Sequence, residues 1–492
     1  MVRTIINIAS AIIISIVFIA VVVLIITDKV NRAILAITGA IITYFVLIFI
    51  QGFNYGDIIS LIVGTERDGY VNFHSLTLIV GMMFIVQISS EAGLFQFLGI
   101  VAVKVSKGKP TALMAIFCFL SVFFSAIVNN ILTVMILIPL TITVSRILNL
   151  DPTPYIITEA ITVNLGGTLF SISSIPNILI VTYASEYINF RSFFVNVGLF
   201  SLVTAGLTIG FFILLYKPSL IKPERELVNT LQDFNVWNVV QNRRLLYVSM
   251  SSLVVLMIAF LAIPPDIIPP DIIALSIAMF LTLFSSFNGL NPKEIMKEFD
   301  YELLFYLMGI FVIAGGLEAS GLVGGIGNIL QKLGAANPFF QVILILFVSA
   351  ILSSLIDNIP ITKVLIPIIG IMADAAPISN DKYFYSLAIG ANWGDNLTPM
   401  GDNILVLNIS AQQKRPINIK QFWKLGFTAT TFQLILASIY FTIILKPLAG
   451  VIILGALIIL VGIVFIFSKY GTTKIRTILN KTLNNFRNKV TG

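Results

Sequence analysis

Cysteine and histidine are almost missing from this chain. Cys118 is the only cysteine and His74 the only histidine in 492 residues. An intrachain disulfide and a thiolate metal cluster are therefore excluded. Histidine-based metal sites and triad chemistry lose their central residue too. Charge is also scarce. Lys, Arg, Asp and Glu make up 11% of the chain, against about 25% in an average soluble domain. No Walker motif is present, so ATP is not the direct energy source. The run GLVGGIG from Gly321 lacks a following strand and is not a nucleotide loop. With no catalytic constellation and no cofactor motif, the chain is not expected to be an enzyme. The net charge of +7 needs no nucleic-acid partner, because the placement of the charges explains it.

What fills the chain is apolar. Hydrophobic residues make up 58%, and the mean hydropathy is +1.00. That composition implies an all-α integral membrane protein. Spanning runs lie near 5–27, 31–50, 74–92, 192–216, 244–263, 268–287, 301–319, 425–446 and 447–468. The first reads as a retained helix, since no small-residue cleavage site follows it. Two further regions, 154–187 and 382–413, are interrupted by Gly, Asn, Pro and Ser and read as broken helices. Two more, 110–148 and 338–374, have polar centres and read as re-entrant hairpins. With the N-terminus outside and the C-terminus cytoplasmic, 23 of the 30 Lys and Arg residues fall inside. The expected location is the plasma membrane, with the basic tail 469–492 against anionic lipid.

The polar stretch 217–243 divides the chain, and the two halves repeat. At an offset of 228 residues, the 22 residues from Phe119 match those from Phe347 at 8 positions. The nine residues from Ile161 match those from Ile389 at 4. The halves read as 1–216 and 244–446, joined by the cytoplasmic linker 217–243. Each half carries five spans and one hairpin, and an odd number of spans inverts the second. The 447–468 helix lies outside the repeat.

Each half then offers a hairpin tip and a helix break. The first tip holds Ser125, Asn129, Asn130 and Thr133; the first break holds Asn164, Gly166, Thr168, Ser173 and Asn177. The second tip holds Ser353, Asp357, Asn358 and Thr362; the second break holds Asn392, Asn396, Thr398 and Asn403. Freed backbone groups and amide or hydroxyl side chains at such breaks can hold an ion or a polar solute. Charge is confined to the second half of this set, at Asp357, Lys363, Asp395 and Asp402. These four, with Glu159 before the first break, are the candidates for proton or charge coupling. A lone buried lysine is costly, so Lys363 is expected to have an acidic partner or to be neutral. Sodium, if bound, would sit at Asn129, Asp357 and Asp395.

These motifs resemble the ion transporter superfamily, and most closely its branch of arsenite permeases, NhaD-type sodium–proton antiporters and the melanosomal P protein, with a citrate-transporter-like domain. The stretches that carry the resemblance are SAIVNNILTVMILIPLTI with EAITVNLGGTLFSISSIPNILI, and DNIPITKVLIPI with LAIGANWGDNLTPMGDNILV. It implies two inverted repeats, hairpins meeting near the midplane, alternating access and a homodimer. The leading expectation is exchange of a cation of the sodium type for a proton. The alternative is export of arsenite or another small oxy-acid, and dicarboxylate symport ranks behind both. Partners are a small ion or polar solute and the lipid bilayer. Sodium or protons enter only as transported or coupling ions.

Overall fold

The computed structural model describes residues 7–490 except 27–28, 67–68, 129, 218–219, 241, 266, 298, 334–336, 375–379, 401–402, 454, 457–458, 460–480 and 483. The described residues form helices and connecting turns, with no strand among them. The first half contains α1 (Ile8–Ile26), α2 (Arg32–Gln51), α3 (Tyr55–Val63), α4 (Val71–Glu91), α5 (Leu94–Val105), α6 (Pro110–Ile127), α7 (Asn130–Ile147), α8 (Thr153–Gly166) and α9 (Ile175–Tyr183). The short α10 (Phe190–Phe193) runs through a wide turn into α11 (Leu199–Tyr216). The linker contributes α12 (Arg225–Asp233). Then follow α13 (Arg243–Ala262), α14 (Pro270–Phe287), α15 (Pro292–Lys297), α16 (Tyr301–Ala319), α17 (Leu322–Leu333), α18 (Pro338–Leu355), α19 (Asn358–Asp374), α20 (Asp381–Gly394), α21 (Asn403–Gln412) and α22 (Ile419–Leu445).

The repeat in sequence becomes a repeat of element starts. Helices α17 to α21 each begin 228 residues after α5 to α9. Local chemistry explains the coincidence. Pro110 and Pro338 both open their helices, where the missing N–H costs nothing. Gly166 and Gly394 both end theirs. Prolines recur inside the second hairpin arms, at Pro139 and Pro367.

Packing exchanges elements between the halves. Helix α2 lies on α16, and its counterpart arrangement sets α4 on α14. Glycine permits both approaches. A Cβ on Gly81 would come within 3.0 Å of the Ala274 backbone, and one on Gly309 within 2.6 Å of the Ala36 backbone. Small residues at such crossings let helices approach closely where lipid gives no hydrophobic drive. Deeper in, α7 meets α21 and α9 meets α19.

Eleven helices among the described residues are long and apolar enough to cross a membrane. The set differs from the expected one. Eight coincide with expected spans, and the remaining three are the hairpin arms α6, α7 and α18. Each has 18 residues, about 27 Å at 1.5 Å per residue, close to the hydrocarbon thickness of about 30 Å. The hairpins thus have arms of spanning length. The broken helices are broken where expected, between α8 and α9 and between α20 and α21. Their 14-residue first segments fall short of a span. The expected 447–468 helix and 469–492 tail lie largely outside the described residues.

The linker is not a loose polar strand. Lys104 Nζ donates to Gln232 O at 2.6 Å, and Gln232 Nε2 donates back to Lys104 O at 2.7 Å. Trp237 packs on Phe97 with ring centroids 5.0 Å apart, and Arg243 lies 4.4 Å from the Trp237 ring centroid. The linker is therefore docked on α5.

Candidate functional site

The two breaks release backbone carbonyls inside the protein, and buried carbonyls need donors. Asparagine supplies a donor and an acceptor on one short side chain. The structure uses this repeatedly. Ser125 Oγ donates to Asn130 Oδ1 at 2.7 Å, and Asn130 Nδ2 donates to Asn164 Oδ1 at 2.7 Å. Asn164 Nδ2 donates to Asn396 Oδ1 at 2.7 Å, and Asn396 Nδ2 ends the relay on Ile161 O at 3.0 Å. One chain of hydrogen bonds thus joins the first tip, the first break and the second break.

A second set crosses in the other direction. Asn392 Nδ2 donates to Asn177 Oδ1 at 2.8 Å, and Asn177 Nδ2 donates to Gly167 O at 2.7 Å. Trp393 Nε1 donates to Thr168 Oγ1 at 2.9 Å. Asn164 and Asn392 occupy matching positions in the repeat, and each reaches into the other half. Hydroxyls clasp the hairpins to the breaks: Ser173 donates to Ala126 O, Ser353 to Ala391 O and Thr398 to Ser354 O. Asn403 Nδ2 donates to Asp395 O at 3.0 Å. Gly166 and Gly394 face Val122 and Ala350, so a side chain at either would push against the hairpin backbone.

Most expected site residues are therefore gathered, but largely bonded to one another. Thr133, Asn358 and Thr362 are buried in the hairpin arms. Asn129 and Asp402 lie outside the described residues.

Asp357 stands apart. It precedes α19 and accepts from Ile359 N at 2.9 Å, so its carboxylate faces the positive end of that helix. It also lines a polar cavity of about 600 Å³ between the halves. The same wall carries Lys29, Asn31, Arg32, Asp300, Glu302 and Asn408. Arg32 pairs with Glu302 at 3.2 Å and with Asp300 at 3.7 Å. Asp395 is buried and not part of this wall, so the two acids expected to share sodium sit in different surroundings. At the end of α6 the space is mostly apolar: Ile127 lines a pocket of about 30 Å³ with Met82, Val86 and Ile172, and another of about 380 Å³ with Phe95, Phe123 and Met257.

Lys363 was expected to have an acidic partner or to be neutral. The structure sets its Nζ 2.5 Å from Asn72 Oδ1 and 4.7 Å from the Phe311 ring centroid. An amide oxygen and an aromatic face can both hold a cation. Glu159 is fully buried on α8 and accepts from Thr141 Oγ1 at 2.7 Å. Its second oxygen has no hydrogen-bond partner among the described residues.

The sequence profile of the citrate transporter family matches residues 22–390. The chain belongs to the citrate transporter family. Its resemblance to the ion transporter superfamily is thus upheld. An uncharacterized transporter of Mycobacterium tuberculosis is 28% identical over 428 residues, covering 86% of this chain and 96% of that protein. The P protein of Mus musculus is 25% identical over 481 residues, covering 82% of this chain and 56% of the P protein. The crystal structure of the Alcanivorax borkumensis YdaH transporter is similar in fold, with a TM-score of 0.55 at 17% identity over 81% of this chain and 90% of that one. This member of the citrate transporter family is therefore a membrane transporter, and its polar centre is the place to look for transport chemistry.

Sequence reasoning missed Arg32, Asp300 and Glu302. They stand at the start of α2 and beside the start of α16, in the runs DKVNR and FDYE. Arg32 was counted only as a mark of membrane sidedness.

Proposed function

We propose that this protein is a secondary active transporter that exchanges a cation for a proton by alternating access. The observation that carries the reading is Asp357, a carboxylate at a helix start, exposed to a polar cavity between the halves. A carboxylate at such depth attracts a cation and can take a proton in its place. The tips and breaks form the frame of the site, with Asn129, Asn130, Asn164, Asn392 and Asn396 nearest in chemistry. Glu159, Lys363, Asp395 and Asp402 are the accessory coupling groups. The halves rock as inverted repeats, the hairpins are re-entrant, and the protein works as a homodimer in the plasma membrane with its C-terminus inside.

A second reading is transport of a small carboxylate or oxy-acid. It is favoured by Arg32 and Lys29 on the cavity wall, which suit an anion, and by the family name. Proteoliposomes with a trapped pH dye separate the two. Under an imposed proton gradient, sodium, lithium or potassium should release a dye response in the first case. In the second, only citrate, succinate or arsenite should do so.

A further inference from the structure

Arg32 opens α2, far in sequence from everything its guanidinium touches. It bridges Asp300 and Glu302 at the start of α16 and lies 5.6 Å from the Tyr306 ring centroid on the same helix. Asp357, at the second hairpin tip, lies on the same cavity wall as Arg32. One guanidinium thus pairs with two acids at the start of α16 and shares a cavity wall with a third, Asp357 of the second hairpin tip. Arginine stays charged at any working pH and can hold two carboxylates on its fork at once. Its side chain is 24% exposed, so water and ions reach it.

We propose that Arg32 is the resident counter-charge of Asp357, competing with the transported cation for that carboxylate. The proposal rests on the cation–proton reading above. With a cation or a proton on Asp357, Arg32 is held by Asp300 and Glu302. With Asp357 empty and ionised, Arg32 turns to it, so the tip carries no uncompensated charge in either state. Lys29 is the other cation on this wall. Lys363 lies against Asn72 and Phe311.

The test measures the half-saturating sodium concentration in the dye-loaded proteoliposomes at two pH values. Sodium-dependent thermal stabilisation of the full chain in detergent reads occupancy in variants that bind without transporting. Arg32→Gln should lower the half-saturating concentration about tenfold, because the competitor is gone. Asp300→Asn with Glu302→Gln should raise it, because Arg32 then has only Asp357. Arg32→Lys keeps the charge but not the fork, and should shift it less than Arg32→Gln. In an Asp357→Asn background, Arg32→Gln should add nothing. Raising proton concentration should mimic the sodium effect at Asp357 and weaken sodium binding. An unchanged half-saturation in Arg32→Gln, or shifts in the same direction for both variants, overturns the counter-charge while leaving cation exchange standing. A wild-type protein that neither responds to nor is stabilised by any cation removes the exchange reading and this proposal with it.

Discussion

Asn164 donates to Asn396 across 2.7 Å, joining the helix break of one half to that of the other. Both side chains are buried, and both also serve a further partner, Asn130 on one side and the Ile161 carbonyl on the other. The bond is a link in a relay, and a relay fails at any link.

Replacing Asn164 with Ala leaves the Asn130 amide and the Asn396 oxygen buried without it. Each orphaned group costs about 1–3 kcal/mol. The midpoint of thermal unfolding in detergent should fall by several degrees. Asn392→Ala, at the matching position, should act in the same direction. Wild-type midpoints in both would show that water replaces the amides and that the relay is no tie.

Gly394 and Gly166 test the fit between break and hairpin. A Cβ at either would press on the backbone of Ala350 or Val122, which cannot step aside. Overpacking of this kind costs about 1–3 kcal/mol or more. Gly394→Val and Gly166→Val should yield little monodisperse protein on size-exclusion chromatography. Gly206→Ala, with no heavy atom within 4 Å of the added carbon, should behave as wild type.

Asp357→Asn separates charge from capping. The amide oxygen can still accept from Ile359 N, so the tip should keep its shape. Cation-driven proton movement should be lost at every pH while the unfolding midpoint holds. Full exchange activity in this variant would move the coupling carboxylate elsewhere.

Glu159→Gln asks whether the buried Glu159 carboxyl carries protons. Glutamine can still accept from Thr141 Oγ1, so the fold should be kept. Proton-coupled exchange should slow markedly, read as the initial dye response per molecule of protein. An unchanged rate would leave Glu159 as a structural partner of Thr141.

Much of the fold was legible because its cues are local. Pro110 and Pro338 open helices, Gly166 and Gly394 close them, and chain-neighbouring prolines and glycines act wherever they stand. The polar clusters at tips and breaks were legible for a related reason: polar groups are rare in an apolar chain and mark a site. Asn130 and Asn358, read as part of the hairpin tips, begin the second arms of their hairpins.

Partners were not legible. Lys363 meets Asn72 from 291 positions away, and Arg32 meets Glu302 from 270. Such contacts arise only when α19 packs beside α4 and α16, and when α2 lies on α16. The sequence alone determined a helical membrane protein with a repeated core and four polar elements, because hydrophobicity, proline, glycine and asparagine act through their neighbours. Only the tertiary structure decided which amides bond to each other, which acid faces a cavity and which cation stands beside it, because burial and charge depend on what packing brings near.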